Sequence, residues 1–98
     1  MSGSHPTTRT IIAYDITDNR RRKRLADLLE GYGQRVQYSV FDCPLTARQR
    51  RDLLRAIRQK IDPDCDRVAL YPIAANLASK VVHLGRQENP PPPHSVVI

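Results

Sequence analysis

This 98-residue chain has no tryptophan, a single phenylalanine and only two cysteines. Cys43 and Cys65 lie far apart, with no C-x-x-C pair or histidine cluster beside either. Neither a disulfide framework nor a zinc site is therefore indicated, and both cysteines are read as reduced thiols. No apolar run approaches the roughly 18 residues that cross a bilayer. The start also lacks the basic, apolar and small-residue succession of a secretory leader. The expectation is a soluble, cytoplasmic, non-secreted protein without a membrane partner. No Gly-rich phosphate loop is present, which removes most nucleotide-using enzymes. His83 has no second histidine at ligand spacing, and Ser39 has no His-Asp pair, so a histidine metal site and a hydrolytic triad are unsupported. A chain of this length hides roughly 60 to 70% of its unfolded surface in one small core, which rules out a two-domain enzyme.

What the chain does have is arginine. Sixteen Lys and Arg face ten Asp and Glu, for a net charge of +6, and all but three of the bases are arginine. The guanidinium is a planar fork that matches phosphate oxygens two at a time, so a polyanionic partner, nucleic acid first, is favoured.

Residues 1–6 are small and polar and read as a disordered start or an expression remnant; residues 7–85 read as the domain. Thr10 to Ile16 is a strand with apolar residues on both faces, as where both are covered. Asp18 can cap a helix to Glu30, with Leu25, Leu28, Leu29 and Tyr32 as its stripe, stopped by Gly31 and Gly33. Gln34 to Cys43 is strand, either one long bent strand or two short ones, because no Asn-Gly or Gly-X marks a hairpin. Thr46 and Gln49 form a capping box for a second helix to Lys60, carrying Leu53, Leu54, Ile57 and Ile61. Arg67 to Ile73 is a strand whose Pro72 belongs at an end or edge. Ala74 to Ser79 reads as a turn or short helix, and Lys80 to Leu84 as a last core strand. Residues 86–93 end in four prolines, a stiff spacer. Residues 94–98 read as a C-terminal strand suited to a partner's sheet edge, or as a frayed end.

The order predicts an α+β, ferredoxin-like β-α-β-β-α-β domain with an extra C-terminal strand. Two helices cover one sheet face and nothing remains for the other, so a sheet-to-sheet homodimer is expected.

Asp15 is the first chemical candidate, because a carboxylate ending an apolar strand must meet a cation or several donors if it is buried. It reads either as an ion pair with a nearby arginine or a contact to the following helix, or as a metal ligand. Magnesium keeps several waters and takes one or two carboxylates, so two copies of Asp15 across a twofold axis would suffice. Asp18 and Asp42 are possible second ligands, each read first as a cap or strand-end residue. Arg20, Arg21, Arg22, Lys23 and Arg24 occupy the first turns of the first helix, where positive charge opposes the helix dipole, so folding does not ask for them there. Arg48, Arg51 and Arg55 repeat the theme on the second helix. Both sets read as phosphate contacts. Tyr14, Tyr38, Phe41 and Tyr71 read as core or dimer packing before base stacking.

Tyr14-Asp15-Ile16-Thr17-Asp18, the Arg20 to Arg24 run, Leu28-Leu29, Tyr32-Gly33, Arg35-Val36-Gln37 and Ser39-Val40-Phe41-Asp42 together resemble the CRISPR-associated Cas2 family. The likeness runs from about Thr10 to Gly85. It implies a ferredoxin-like homodimer in which Asp15 faces its mate and shares one magnesium ion (Mg2+) with it. It also implies metal-dependent endonuclease activity on double-stranded DNA or single-stranded RNA, with Tyr14, Arg22, Arg24, Arg35 and Phe41 assisting Asp15 in catalysis. As a partner it implies the CRISPR integrase subunit, with this dimer bridging integrase subunits on duplex DNA. In that role it can be a non-catalytic scaffold. A toxin-like ribonuclease outside CRISPR is the remoter reading. The chain departs from the family at Asp42, where glutamate is more usual, and at the Pro90 to Pro93 block.

Overall fold

The computed structural model describes residues 5–86 and 96–97. Its elements are β1 (Thr8–Asp15), α1 (Asn19–Glu30), β2 (Gln34–Gln37), β3 (Val40–Leu45), α2 (Ala47–Lys60), β4 (Arg67–Ile73), α3 (Ala75–Ala78), β5 (Val82–His83) and β6 (Val96–Val97). The first four strands form one antiparallel sheet in the order β2-β3-β1-β4, the ferredoxin-like arrangement expected from the element order.

The alternation of β1 decides where the core lies. Thr10, Ile12 and Tyr14 are buried against the helices, together with Phe41 and Cys43 of β3, Leu25 and Leu29 of α1, and Leu53 and Ile57 of α2. The Cys43 thiol is pushed up to about 12, by burial first and then by the adjacent Asp42 charge, so it stays protonated at neutral pH. The intervening residues Ile11 and Ala13 are only half-buried, and Tyr71, opposite Ile11, is 57% exposed. Apolar residues on both faces of β1 thus do not mean that both faces are covered within one chain.

Both helix starts follow their local chemistry. Asp18 accepts the Arg21 N–H at 2.9 Å, and Thr46 and Gln49 close the reciprocal capping box. The stop after α1 has another cause than the one expected, because Gly31 is right-handed, with φ −75°. At Gly33 the chain passes against β3, where a Cβ would lie 2.2 Å from the Asp42 carbonyl oxygen and 2.6 Å from the Cys43 Cα. Gly33→Ala is therefore expected to destabilise the fold by about 1–3 kcal/mol, as overpacking against backbone does, measured by urea unfolding.

Gln34 to Cys43 resolves into two strands. Gln37 pairs with Val40, so Tyr38 and Ser39 make the turn, and the register shifts between Arg35 and Gln37. The expected last core strand does not join the main sheet: β5 is two residues long and pairs in parallel with β6 of the same chain, and Leu84 is exposed. The isolated chain thus gives Val96–Val97 a partner of its own, where the sequence suggested a partner's sheet edge. Of the expected disordered start at 1–6 and proline-rich spacer at 86–93, residues 1–4 and 87–93 lie outside the described residues. No helix among the described residues is long and apolar enough to cross a membrane.

Candidate functional site

Asp15 continues the uncovered side of β1, in phase with Ile11 and Ala13. It is exposed, and its carboxylate has no ion-pair or hydrogen-bond partner among the described residues. The expectation that burial would force an internal ion pair on Asp15 is thereby overturned, since water solvates the group. Directly across the ladder stands Arg67 of β4, also exposed and on the same face. Sequence reasoning missed Arg67 because only the antiparallel register sets it opposite Asp15.

The two suggested second ligands are engaged elsewhere. Asp18 caps α1, and the Arg21 N–H holds its carboxyl below the usual range. Asp42 is 3% exposed and grips Arg9, whose Nε donates to Oδ2 at 2.7 Å. The Asp-for-Glu departure therefore falls in a buried pair rather than at a metal site. No cluster of three His, Cys, Asp or Glu able to hold an ion occurs among the described residues. One chain thus offers one free carboxylate at the end of an open sheet face. That donor set suits magnesium only if a second copy supplies another.

The basic run divides into distinct jobs. Arg21 turns inward: its Nε donates to Asp66 Oδ2 at 2.7 Å and its Nη2 to Oδ1 at 3.2 Å, so it joins α1 to the residue preceding β4. That fork takes Arg21 out of the expected phosphate contacts. The Arg21 fork, with the Asp62 N–H, holds the Asp66 carboxyl below its usual value of 3.8. A carboxyl depressed on folding contributes stability above its unfolded value, and that contribution is lost as pH falls through the folded one. The protein should therefore lose stability as pH falls below about 4, and Asp66→Asn should flatten that limb of a urea-unfolding series across pH.

Arg22 donates Nη1 to the Ile16 carbonyl at 3.0 Å and the Thr17 carbonyl at 3.3 Å, and Nη2 to Asn19 Oδ1. Its guanidinium lies 5.7 Å from the Tyr38 ring centroid. Lys23 pairs with Asp27 at 3.0 Å on the exposed side of α1. Arg20 and Arg24 are exposed and make no ion pair among the described residues, and the same holds for Arg48, Arg51 and Arg55, which climb α2 at spacings of three and four.

Arg35 lies 5.3 Å from the Phe41 ring centroid and 3.8 Å from Glu30. Phe41 is fully buried and cannot touch a substrate; it supports Arg35 from below and packs on Tyr14, ring centroids 6.4 Å apart. Burial raises the Tyr14 hydroxyl above its usual value, so at neutral pH it remains a donor, directed at the Tyr38 carbonyl at 3.4 Å. Tyr14, Arg22 and Arg35 thus meet, with Lys23, Asn19 and Tyr38, around a cleft of about 340 Å³. Asp15 and Arg24 do not line it. Of the expected catalytic set, three residues converge, Phe41 lies beneath them, and the carboxylate sits on the opposite face of the sheet.

Comparison with known proteins gives a consistent set of likenesses. Residues 8–81 match the family described as "CRISPR associated protein Cas2". A Synechocystis protein named "CRISPR-associated endoribonuclease Cas2 3" is 44% identical over 88 residues, 90% of this chain and 96% of that one. The crystal structure of Streptococcus pyogenes Cas2 at pH 6.5 superposes with a TM-score of 0.73 at 32% identity, covering 79% of this chain and 99% of that one. A chain of a partial Cas6-RT-Cas1–Cas2 complex superposes with a TM-score of 0.64 at 29% identity, covering 72% and 83% of the two chains.

Proposed function

The chain belongs to the CRISPR-associated protein Cas2 family, and from that premise we propose that it is a metal-dependent endonuclease acting in CRISPR adaptation as a homodimer. The observation that carries the reading is Asp15, an exposed carboxylate that has no partner among the described residues and ends a sheet face that they leave uncovered. A second copy laid against Ile11, Ala13 and Tyr71 would cover the half-buried apolar residues and bring two Asp15 side chains to one twofold axis. Two carboxylates with water completing the shell fit a magnesium ion. When bound, such an ion supplies charge stabilisation to a phosphodiester undergoing in-line attack. The chain's own residues do the rest: Arg20, Arg24 and the α2 row of Arg48, Arg51 and Arg55 hold phosphates, and Arg67 stands ready beside Asp15 to meet the scissile strand.

The second reading is a non-catalytic duplex-binding bridge between integrase subunits. It draws on the lack of any cluster of three metal-ligating side chains among the described residues and on the likeness to a chain from a Cas1–Cas2 complex. Cleavage of double-stranded DNA and single-stranded RNA by the purified protein, with magnesium or with chelator, separates the two. Cutting that needs magnesium establishes the nuclease and its substrate; duplex binding without cutting leaves the bridge. Under either reading, alanine at both Arg20 and Arg24 should weaken duplex binding across sequences. It should also lower the slope of log affinity against log salt by about one for each phosphate that is no longer neutralised.

A further inference from the structure

The cleft on the helical side of the sheet holds features that a duplex-backbone contact does not use. Tyr38, at the β2–β3 turn, is 54% exposed, although an aromatic residue within a strand pattern was expected to pack. Its position is fixed by two bonds from one residue: the Tyr14 N–H donates to the Ser39 carbonyl at 3.1 Å and the Tyr14 hydroxyl to the Tyr38 carbonyl. Beside the ring stands Arg22, whose acceptors are all neutral: two backbone carbonyls and the Asn19 amide oxygen. These bonds fix the guanidinium and leave its charge unneutralised by any carboxylate among the described residues. The other charges lining the cleft, Lys23 with Asp27 and Arg35 with Glu30, form two partly exposed pairs, so the cleft keeps one net positive charge, enough for one phosphodiester. Exposed pairs of this kind are weak and exchange readily for a phosphate.

We propose that this cleft binds one unpaired nucleotide, with its base stacked on Tyr38 and its phosphate held by Arg22 and Arg35. The volume of about 340 Å³ lies at the small end of the range for ligand clefts, roughly 300–1,000 Å³. A base inside a duplex has both faces occupied by its neighbours, so an exposed ring serves best a base that has left the stack. Arginine beside an aromatic platform is the combination that single-strand binders use. The ligand is therefore a single-stranded end or overhang. This inference rests on the nucleic-acid reading above and adds to it a site separate from Asp15.

The test uses the full chain in chelator, so that nothing is cut, with a blunt duplex and the same duplex carrying a short overhang that contains 2-aminopurine. The overhang should bind more tightly than the blunt form, with the 2-aminopurine emission changed on binding. Tyr38→Ala should weaken overhang binding roughly 5- to 150-fold, the range for removing one base–aromatic stack, and leave blunt binding unchanged. Tyr38→Phe, which keeps the ring, should retain wild-type preference and show that the loss is of stacking rather than of the turn. Salt-sensitive blunt binding with no gain from the overhang, or equal losses on both duplexes in Tyr38→Ala, overturns the cleft proposal alone. Absence of wild-type binding to either duplex and to single-stranded RNA overturns the nucleic-acid reading and this inference together; binding to the RNA alone overturns the overhang proposal only.

Discussion

Asp15→Asn should abolish magnesium-dependent cleavage while the protein unfolds at the same urea concentration as the wild type. The amide keeps the shape of the side chain and removes the charge. Since the carboxylate is exposed and unpaired among the described residues, the fold loses nothing with it. Under the nuclease reading the ion would lose a ligand, and the charge stabilisation such an ion supplies is several kcal/mol. At tenfold per 1.36 kcal/mol, the rate should fall by roughly a hundredfold or more, to the level seen in chelator. Single-turnover cleavage with and without magnesium reads this directly. A variant that still cuts at the wild-type rate would remove Asp15 from the chemistry and leave the bridging role.

The largest effect on stability is expected at the neighbouring strand. Arg9 and Asp42 form a buried pair, with side chains 10% and 3% exposed and contacts of 2.5 and 2.7 Å to Asp42 Oδ2. Arg9 also donates to the Ala78 carbonyl at 2.7 Å, which ties α3 to the start of β1. Asp42→Ala removes the carboxylate from a largely buried guanidinium, a change that costs up to about 3–5 kcal/mol. Against the 5–15 kcal/mol of a typical domain, that removes from about a fifth to all of the stability. Replacing both partners, Arg9→Met with Asp42→Leu, should recover most of the loss, because a buried pair exchanged for apolar groups is close to neutral. Urea unfolding of the two single variants and the double variant gives the coupling between them.

The local signals in the chain were legible where their chemistry is local. Thr46 and Gln49 lie three residues apart and cap α2 as their spacing says; Arg67 to Ile73 is a strand with the bounds read from its pattern. The hairpin between β2 and β3 was not legible, because no turn residue holds it. Tyr14, more than twenty positions earlier, fixes it by bonding to the carbonyls of Tyr38 and Ser39. The run from Arg20 to Arg24 looks uniform as text, yet Arg21 is drawn inward by Asp66 and Arg22 by the β1–α1 loop, both products of how the chain folds back. The Lys80 to Leu84 stretch has the composition of a core strand. It stays out of the main sheet, where β3 and β4 flank β1, and pairs with β6 instead. Asp15 was singled out for a reason that failed: the end of an apolar strand suggested burial, and the structure leaves the carboxylate exposed, with no partner among the described residues.

The position of β1 at the centre of the sheet also orders events in time. Its partner β3 follows after one helix, whereas β4 arrives only after a second helix, across the longest separation of any pairing in the four-stranded sheet. Loop closure over that distance is slow relative to helix and hairpin formation, so β4 docks late. Until it does, the flank of β1 that ends at Asp15 is an open strand edge. A chain still emerging from the ribosome therefore passes through a stage that can form strand pairs with neighbours, and lower synthesis temperature or lower nascent-chain density should raise the yield of soluble protein.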